Sequence, residues 1–156
     1  MVTLNNQQIA EKNFDEFKRA ISKDFIKCQQ GEIHSDIIVH VDRPDGTPRF
    51  TYGLMGSGSR LKASCVAVTS DPYNGKPCFD VGVATFEKFR NQGHGKLILE
   101  KSIDELKNGL NRNGINEFYI ELKVDEGNEA SHRLCNNFCD ETIDKDRGRI
   151  YLKLIN

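Results

Sequence analysis

The sequence predicts an α+β protein in which a mixed sheet carries helices packed on its faces. Two observations lead there. Apolar residues recur every three or four positions in two long segments and alternate with polar residues in several short ones. In chain order, a helix and four strand-like segments come first, and helix and strand then alternate to the end.

The first helical segment, from about Gln7 to Gln30, lays Phe14, Phe17, Ile21, Phe25 and Cys28 on one face, and Gly31 follows as a stop. Strands are expected over Glu32–Val41 and Arg49–Leu54, with Pro44-Asp45-Gly46 as the hairpin turn between them. The small residues of Gly53–Ser59 mark a bulged or flexible end to the second strand. A third strand fits Leu61–Thr69, the turn-rich SDPYNGKP follows, and a fourth strand spans Cys78–Phe86. All four prolines lie between Pro44 and Pro77, clear of the proposed helices.

Beyond that point Leu99, Ile103, Leu106 and Leu110 give the segment Gly95–Arg112 one buried helical face and leave Glu100, Lys101, Asp104 and Lys107 to solvent. Gly114 ends it. Phe118, Ile120, Leu122 and Val124 alternate as a half-buried strand, a short helix runs from Glu129 to Phe138, and Arg149–Ile155 is a last strand.

A chain of 156 residues suits one domain, residues 1–156, with a single core. Its 37% apolar and 29% charged content is that of a globular protein. A net charge of −1 disfavours a nucleic-acid or anionic-membrane partner. No apolar run reaches the roughly 18 residues of a membrane span, and MVTLNNQQIAEKNF lacks the apolar core of a signal peptide, so a cytoplasmic location is expected. The five cysteines, an odd number without a C-x-x-C pair, read as reduced thiols.

The stretch most informative about function is FRNQGHGKLIL, Phe89–Leu99, where two glycines one residue apart separate a strand from a helix. The first amides of a helix have no intrahelical partner, and glycines let a phosphate approach them closely. A Walker A loop is excluded because Arg90 stands at its first glycine and Leu97 at its hydroxyl. The dinucleotide fingerprint finds Ile98 at its third glycine.

The remaining pattern, R-x-x-G-x-G at Arg90, Gly93 and Gly95, resembles the GNAT superfamily of N-acetyltransferases. Val81–Phe86 stands at that family's fourth strand, and Asn128, Ser131 and Leu134 resemble its next motif, so the likeness runs from about Cys78 to Phe138. It implies a mainly antiparallel sheet with splayed fourth and fifth strands. It also implies acetyl-coenzyme A as cosubstrate, with its pyrophosphate on the loop Arg90, Asn91, Gln92, Gly93, His94, Gly95 and Lys96. Its pantetheine would run beside the backbone of Val83, Ala84 and Thr85, with Asn128 and Ser131 completing the site.

The reaction implied is direct transfer of an acetyl group to a primary amine in a ternary complex. The attacking ammonium must lose a proton, and the leaving thiolate benefits from gaining one. Glu121 is the leading candidate base, with Asp80, Glu87 and Asp125 behind it. Cys135 stands where many relatives carry a tyrosine acid, so its thiol is either a proton donor or core packing, and Tyr119 or Tyr151 could substitute. His132, Cys135 and Cys139 form a helical stripe too compact for a usual metal site, and no metal is expected. A non-catalytic acyl-coenzyme A-binding or interaction module is the alternative reading. The acceptor, a small molecule or a protein amine, is open, and a homodimer is common among relatives.

Overall fold

Helix α1 (Asn6–Ser22) begins at a capping box: Asn5 accepts from the Gln8 amide at 2.8 Å, and the Gln8 side chain accepts from the Asn5 amide at 3.0 Å. The computed structural model describes residues 3–156, and of Glu87 it describes the backbone but not the side chain. The helix ends well short of Gln30 because Asp24 turns into the left-handed region at φ 60°. There the amides of Lys23 and Phe25 close back on Arg19 and Ala20. Aspartate tolerates that conformation without a glycine, so the apolar period outlasts the helix. Phe25, 71% exposed, lies beyond the end.

The strands are β1 (Gln29–Gln30), β2 (Ile37–Asp42), β3 (Arg49–Met55), β4 (Leu61–Tyr73), β5 (Lys76–Thr85), β6 (Phe118–Asp125), β7 (Glu141–Lys145) and β8 (Gly148–Ile155). They form one eight-stranded sheet in the order β1-β2-β3-β4-β5-β6-β8-β7, antiparallel throughout except for β5 with β6. Helices α2 (His94–Arg112) and α3 (Glu129–Phe138) precede and follow β6. The mixed sheet expected from the sequence is present, and so is the bulge at the end of β3, where the register shifts between Leu54 and Met55.

The strands also differ from expectation, beginning with β1, which lies where the first helix was expected to continue. β2 begins at Ile37 rather than Glu32, because residues 31–36 wrap a buried carboxylate, Glu105 of α2. β4 and β5 continue to a tight Asn74-Gly75 turn, and a register shift between Ser70 and Tyr73 absorbs Pro72. β7 is additional: every residue of Glu141–Lys145 is exposed, so this charged edge strand carries no apolar alternation.

The two faces of the sheet hold different helices. Ala63, Cys65 and Ala67 of β4, Phe79 and Val81 of β5, and Ile120, Leu122 and Val124 of β6 pack with Ile98, Leu99, Ile103 and Leu106 of α2 and Cys135 of α3. On the opposite face Phe14 and Phe17 of α1 cover Leu61 and Ala84.

One carboxylate ties α1 across the sheet. The first turn of α1 contains no acidic residue, and Asp125 at the end of β6 supplies that charge: it accepts from the Asn6 side chain at 2.9 Å and from the amides of Asn6 and Gln7 at 3.3 and 3.0 Å. Asp125→Ala is expected to cost about 1–2 kcal/mol, the usual loss at a helix N-terminus, read as a fall of several degrees in Tm. A melt identical to the parent's would remove Asp125 from this role.

Candidate active site

The parallel ladder between β5 and β6 is short: Cys78, Phe79 and Asp80 face Tyr119, Ile120 and Glu121. Beyond it β5 stays with β4 as far as Thr85, and β6 stays with β8 as far as Asp125. Among the described residues no pairing joins Val81–Thr85 to Leu122–Asp125. Two inner strands therefore part, and a cleft of about 290 Å³ opens between them.

The cleft passes from one face of the sheet to the other. Val81, Val83, Leu122, Leu134 and Cys135 line it towards α2 and α3, whereas Asp80, Gly82, Lys123 and Ala10 line it towards α1. The edge of β5 also presents main-chain groups. The Phe86 amide donates to Lys62 on β4 at 2.8 Å, so strand alternation turns the N–H and C=O groups of Val83 and Thr85 away from β4 and into the gap.

At the far end of β5 the chain turns into α2. Gly93 is the residue before the helix, at φ 79° and ψ 8°, and the first intrahelical bond runs from Leu97 N to Gly93 O at 3.1 Å. The amides of His94, Gly95 and Lys96 thus precede the helical ladder, with no side-chain cap and no acidic residue in the first turn. A Cβ at Gly93 would have no atom within 4 Å, whereas one at Gly95 would lie 3.8 Å from Thr85 Oγ1 and 3.9 Å from Leu134. The glycine loop is open above Gly93 and packs at ordinary van der Waals range below Gly95, and it sits where β5, α2 and α3 converge.

The other residues singled out in the sequence are distributed unevenly around this site. Asn91 is also left-handed, at φ 62°, and Gln92 donates to Lys88 O at 3.3 Å. His94 stands edge-on to Phe89. Lys96 is exposed and 3.9 Å from Glu100. Arg90 turns away from the loop amides, donating to Thr85 O at 3.3 Å and meeting Glu11 of α1 at 3.4 Å. Asn128 caps α3 by accepting from the Ser131 amide at 3.2 Å and donates to Gln7 at 3.1 Å, and both Asn128 and Ser131 line the cleft.

The acidic residues separate by position. Glu121 lies on the last paired rung, accepts a hydrogen bond from the Ser70 hydroxyl and is not among the residues lining the cleft. Asp125 lines it but is occupied by α1. The side chain of Glu87 lies outside the described residues. Asp80 lines the cleft, and its carboxylate is 3.5 Å from Lys123 Nζ. Burial pushes the Asp80 carboxyl above its ordinary range, and the Lys123 ammonium offsets part of that rise. This pair across the strands has no sequence signature, although strand alternation puts Lys123 on the same face as Glu121.

Cys135 is 1% exposed. Its hydrogen bond with Cys139, together with burial, holds its thiol above the ordinary range and therefore protonated. Tyr151 is buried with its hydroxyl 2.7 Å from His132 Nδ1, and His132 Nε2 is 3.1 Å from the Asp125 carbonyl oxygen, so both imidazole nitrogens are engaged. Tyr119 lies on the paired part of β6 and accepts from Asn74 at 3.2 Å. Among the described residues no group of three or more His, Cys, Asp or Glu side chains converges as metal ligands would, and no helix is long and apolar enough to cross a membrane.

Comparison with solved structures finds this fold elsewhere. A GNAT-family acetyltransferase from Streptococcus pneumoniae superposes with a TM-score of 0.51 at 18% identity, covering 69% of this chain and 67% of its own. The chain has the GNAT fold. A chimeric spermidine N-acetyltransferase containing Vibrio cholerae sequence matches over 91% of this chain and 78% of its own, with a TM-score of 0.50 at 10% identity. The chain spans between 62% and 78% of the length of such matched chains. No protein-family model matches the sequence, and no curated protein does so. Within the GNAT fold, β5 and β6 are the splayed pair, and the first turn of α2 adjoins the cleft wall where Gly95 meets Leu134.

Proposed function

We propose that the protein is an acetyl-coenzyme A-dependent N-acetyltransferase that works by direct transfer in a ternary complex. The observation that carries this reading is a through-sheet cleft that holds a carboxylate–ammonium pair, Asp80–Lys123, and whose wall at Leu134 adjoins Gly95 in the uncapped first turn of α2. The pyrophosphate rests on the amides of Gln92–Lys96, where partial positive charge is already oriented. The pantetheine runs beside β5 on the main-chain groups of Val83 and Thr85, and the Val83 N–H is offered to the thioester oxygen as it gains negative charge.

The amine arrives from the α1 face. Asp80 accepts its proton, the free amine attacks the thioester carbon, and the carbon–sulfur bond breaks as the nitrogen's second proton passes through solvent to the departing coenzyme thiolate. A group acting as base must be ionised, so turnover rises with pH through the raised Asp80 pKa. Cys135 forms the apolar wall beside the leaving sulfur. As an acid it is poorly matched, because its thiol titrates above the departing thiol's value of about 8.5 and proton donation is uphill.

Calorimetry with acetyl-coenzyme A and thiol release with a mixed library of primary amines test this together. Binding at micromolar to millimolar coenzyme is expected, with turnover on at least one amine. Asp80→Asn is expected to lower kcat by about 100-fold and abolish the acid limb of the pH profile, with coenzyme affinity nearly unchanged. Absence of coenzyme binding would sink the reading. Binding without thiol release for any amine would favour a non-catalytic acyl-coenzyme A-binding module, the reading to which the inert Cys135 lends weight.

A further inference from the structure

Among the described residues that line the cleft, Lys123 carries the only primary amine. It lies two residues beyond the last paired rung of β6, on the strand face turned to α1. The neighbouring Leu122 and Val124 point into the opposite core. Its Nζ is 3.5 Å from Asp80, and its side chain is 44% exposed, so the pair is loose rather than locked in the interior. Other lysines are held elsewhere. Lys101 is bound to Asp36, Lys76 is 3.3 Å from Glu117, and Lys12 lies on the outer face of α1, 3.9 Å from Glu16.

We propose that Lys123 is itself an acceptor: with acetyl-coenzyme A in the cleft, the protein acetylates this side chain. The proposal rests on the coenzyme placement above and adds to it the identity of one acceptor amine. The Lys123 ammonium passes a proton to the Asp80 carboxylate, whose burial already favours the protonated form. The neutral amine attacks the thioester carbon, a C–N bond forms, the C–S bond breaks, and the nitrogen sheds its second proton to solvent while the departing coenzyme thiolate takes one up. The products are Nε-acetyl-Lys123 and free coenzyme A, and acetyl-coenzyme A is the only co-reactant.

Holding amine and carboxylate on two strands that flank the same gap makes the attack unimolecular within the complex, which is where proximity contributes most. The modification has a structural consequence. It removes the positive charge beside Asp80 and fills the acceptor end of the cleft with a neutral amide, so an acetylated protein is expected to turn over external amines more slowly. Conversely, a good external amine competes with Lys123 for the same acetyl group.

The experiment is incubation of the full chain with acetyl-coenzyme A, followed by intact mass spectrometry and peptide mapping, with calorimetry on the same preparation. The expected result is a gain of one acetyl group mapped to Lys123, at a first-order rate independent of protein concentration and at least about tenfold faster than at Lys12. Lys123→Arg should lose the modification while still binding coenzyme, and Asp80→Asn should slow it at least about tenfold. Coenzyme binding with Lys123 unmodified, or modified no faster than Lys12, would overturn the inference and leave the coenzyme reading standing. Failure of acetyl-coenzyme A to bind at all would overturn both and would be visible in the calorimetry alone.

Discussion

Replacing Gly93 by valine is expected to weaken acetyl-coenzyme A binding by more than about 100-fold, because two or three charge-assisted bonds from loop amides, each of about 1.5–3 kcal/mol, lose their partner. The loss has a conformational part and a steric part. Gly93 sits at φ 79°, where a β-branched residue is strained, and its missing side chain leaves open space directly over the first amides of α2. Valine both strains the turn and fills the approach.

The two parts separate with one control. Gly114, just beyond the other end of α2, has φ +81° and is equally open, so Gly114→Val carries the same backbone strain with no ligand nearby. Both variants should lose similar stability, about 1–2 kcal/mol, since left-handed backbone costs roughly that for a non-glycine residue. Only Gly93→Val should lose coenzyme affinity by calorimetry. Normal binding by Gly93→Val would remove the loop from the coenzyme site, and equal losses in the two variants would reduce the effect to folding.

The glycine loop was legible in the sequence because it is local: strand, two glycines and helix lie within one short stretch, and their backbone requirements are written in the residue types. The sheet was legible for the same reason wherever strands alternate, as Phe118–Val124 does. What escaped is built from contacts between distant segments or from residues without a period. β7 shows no alternation because every residue faces solvent. α1 stops at an aspartate in a glycine-like conformation. The shift from Glu121 to Asp80 as the carboxylate facing the cleft depends on where the β5–β6 ladder ends, and strand registers across a long crossover leave no trace in composition.

Helix α2 illustrates the same limit more sharply. Of its outer positions, Asp104 stays exposed as read and accepts a 2.8 Å hydrogen bond from His34, whereas Lys101, also read as solvated, is half-buried and binds Asp36. Glu105, between the apolar positions Ile103 and Leu106, is 9% exposed. Helical periodicity identifies which face a residue is on. It does not report that the β1–β2 loop folds over that face and supplies donors to a carboxylate.

Glu105→Leu is therefore expected to be the most destabilising of the substitutions considered, by about 3–5 kcal/mol, because it strands backbone donors that cost about 1–3 kcal/mol each when buried without a partner. The carboxylate accepts from the amides of Glu32 at 2.8 Å, Ile33 at 3.0 Å and His34 at 2.7 Å. Gly31 lies so close that a Cβ there would be 2.5 Å from Glu105 Oε2, so Gly31→Ala should disturb the same nest from the other side. Glu105→Gln keeps the shape and one acceptor oxygen but turns an NH₂ towards the amides, and should cost about 1–2 kcal/mol. In a chain of this size the leucine variant should melt on the order of 10 °C lower. The first turn of α2 is roughly 16 Å away at 1.5 Å per residue, so coenzyme affinity measured below the melt should stay within about threefold of the parent's. Gly93→Val loses the ligand and largely keeps the fold, whereas Glu105→Leu weakens the fold and keeps the ligand. A leucine variant as stable as the parent would show that the loop finds its hydrogen bonds elsewhere, and one that loses coenzyme in proportion to stability would show that the two ends of α2 are coupled.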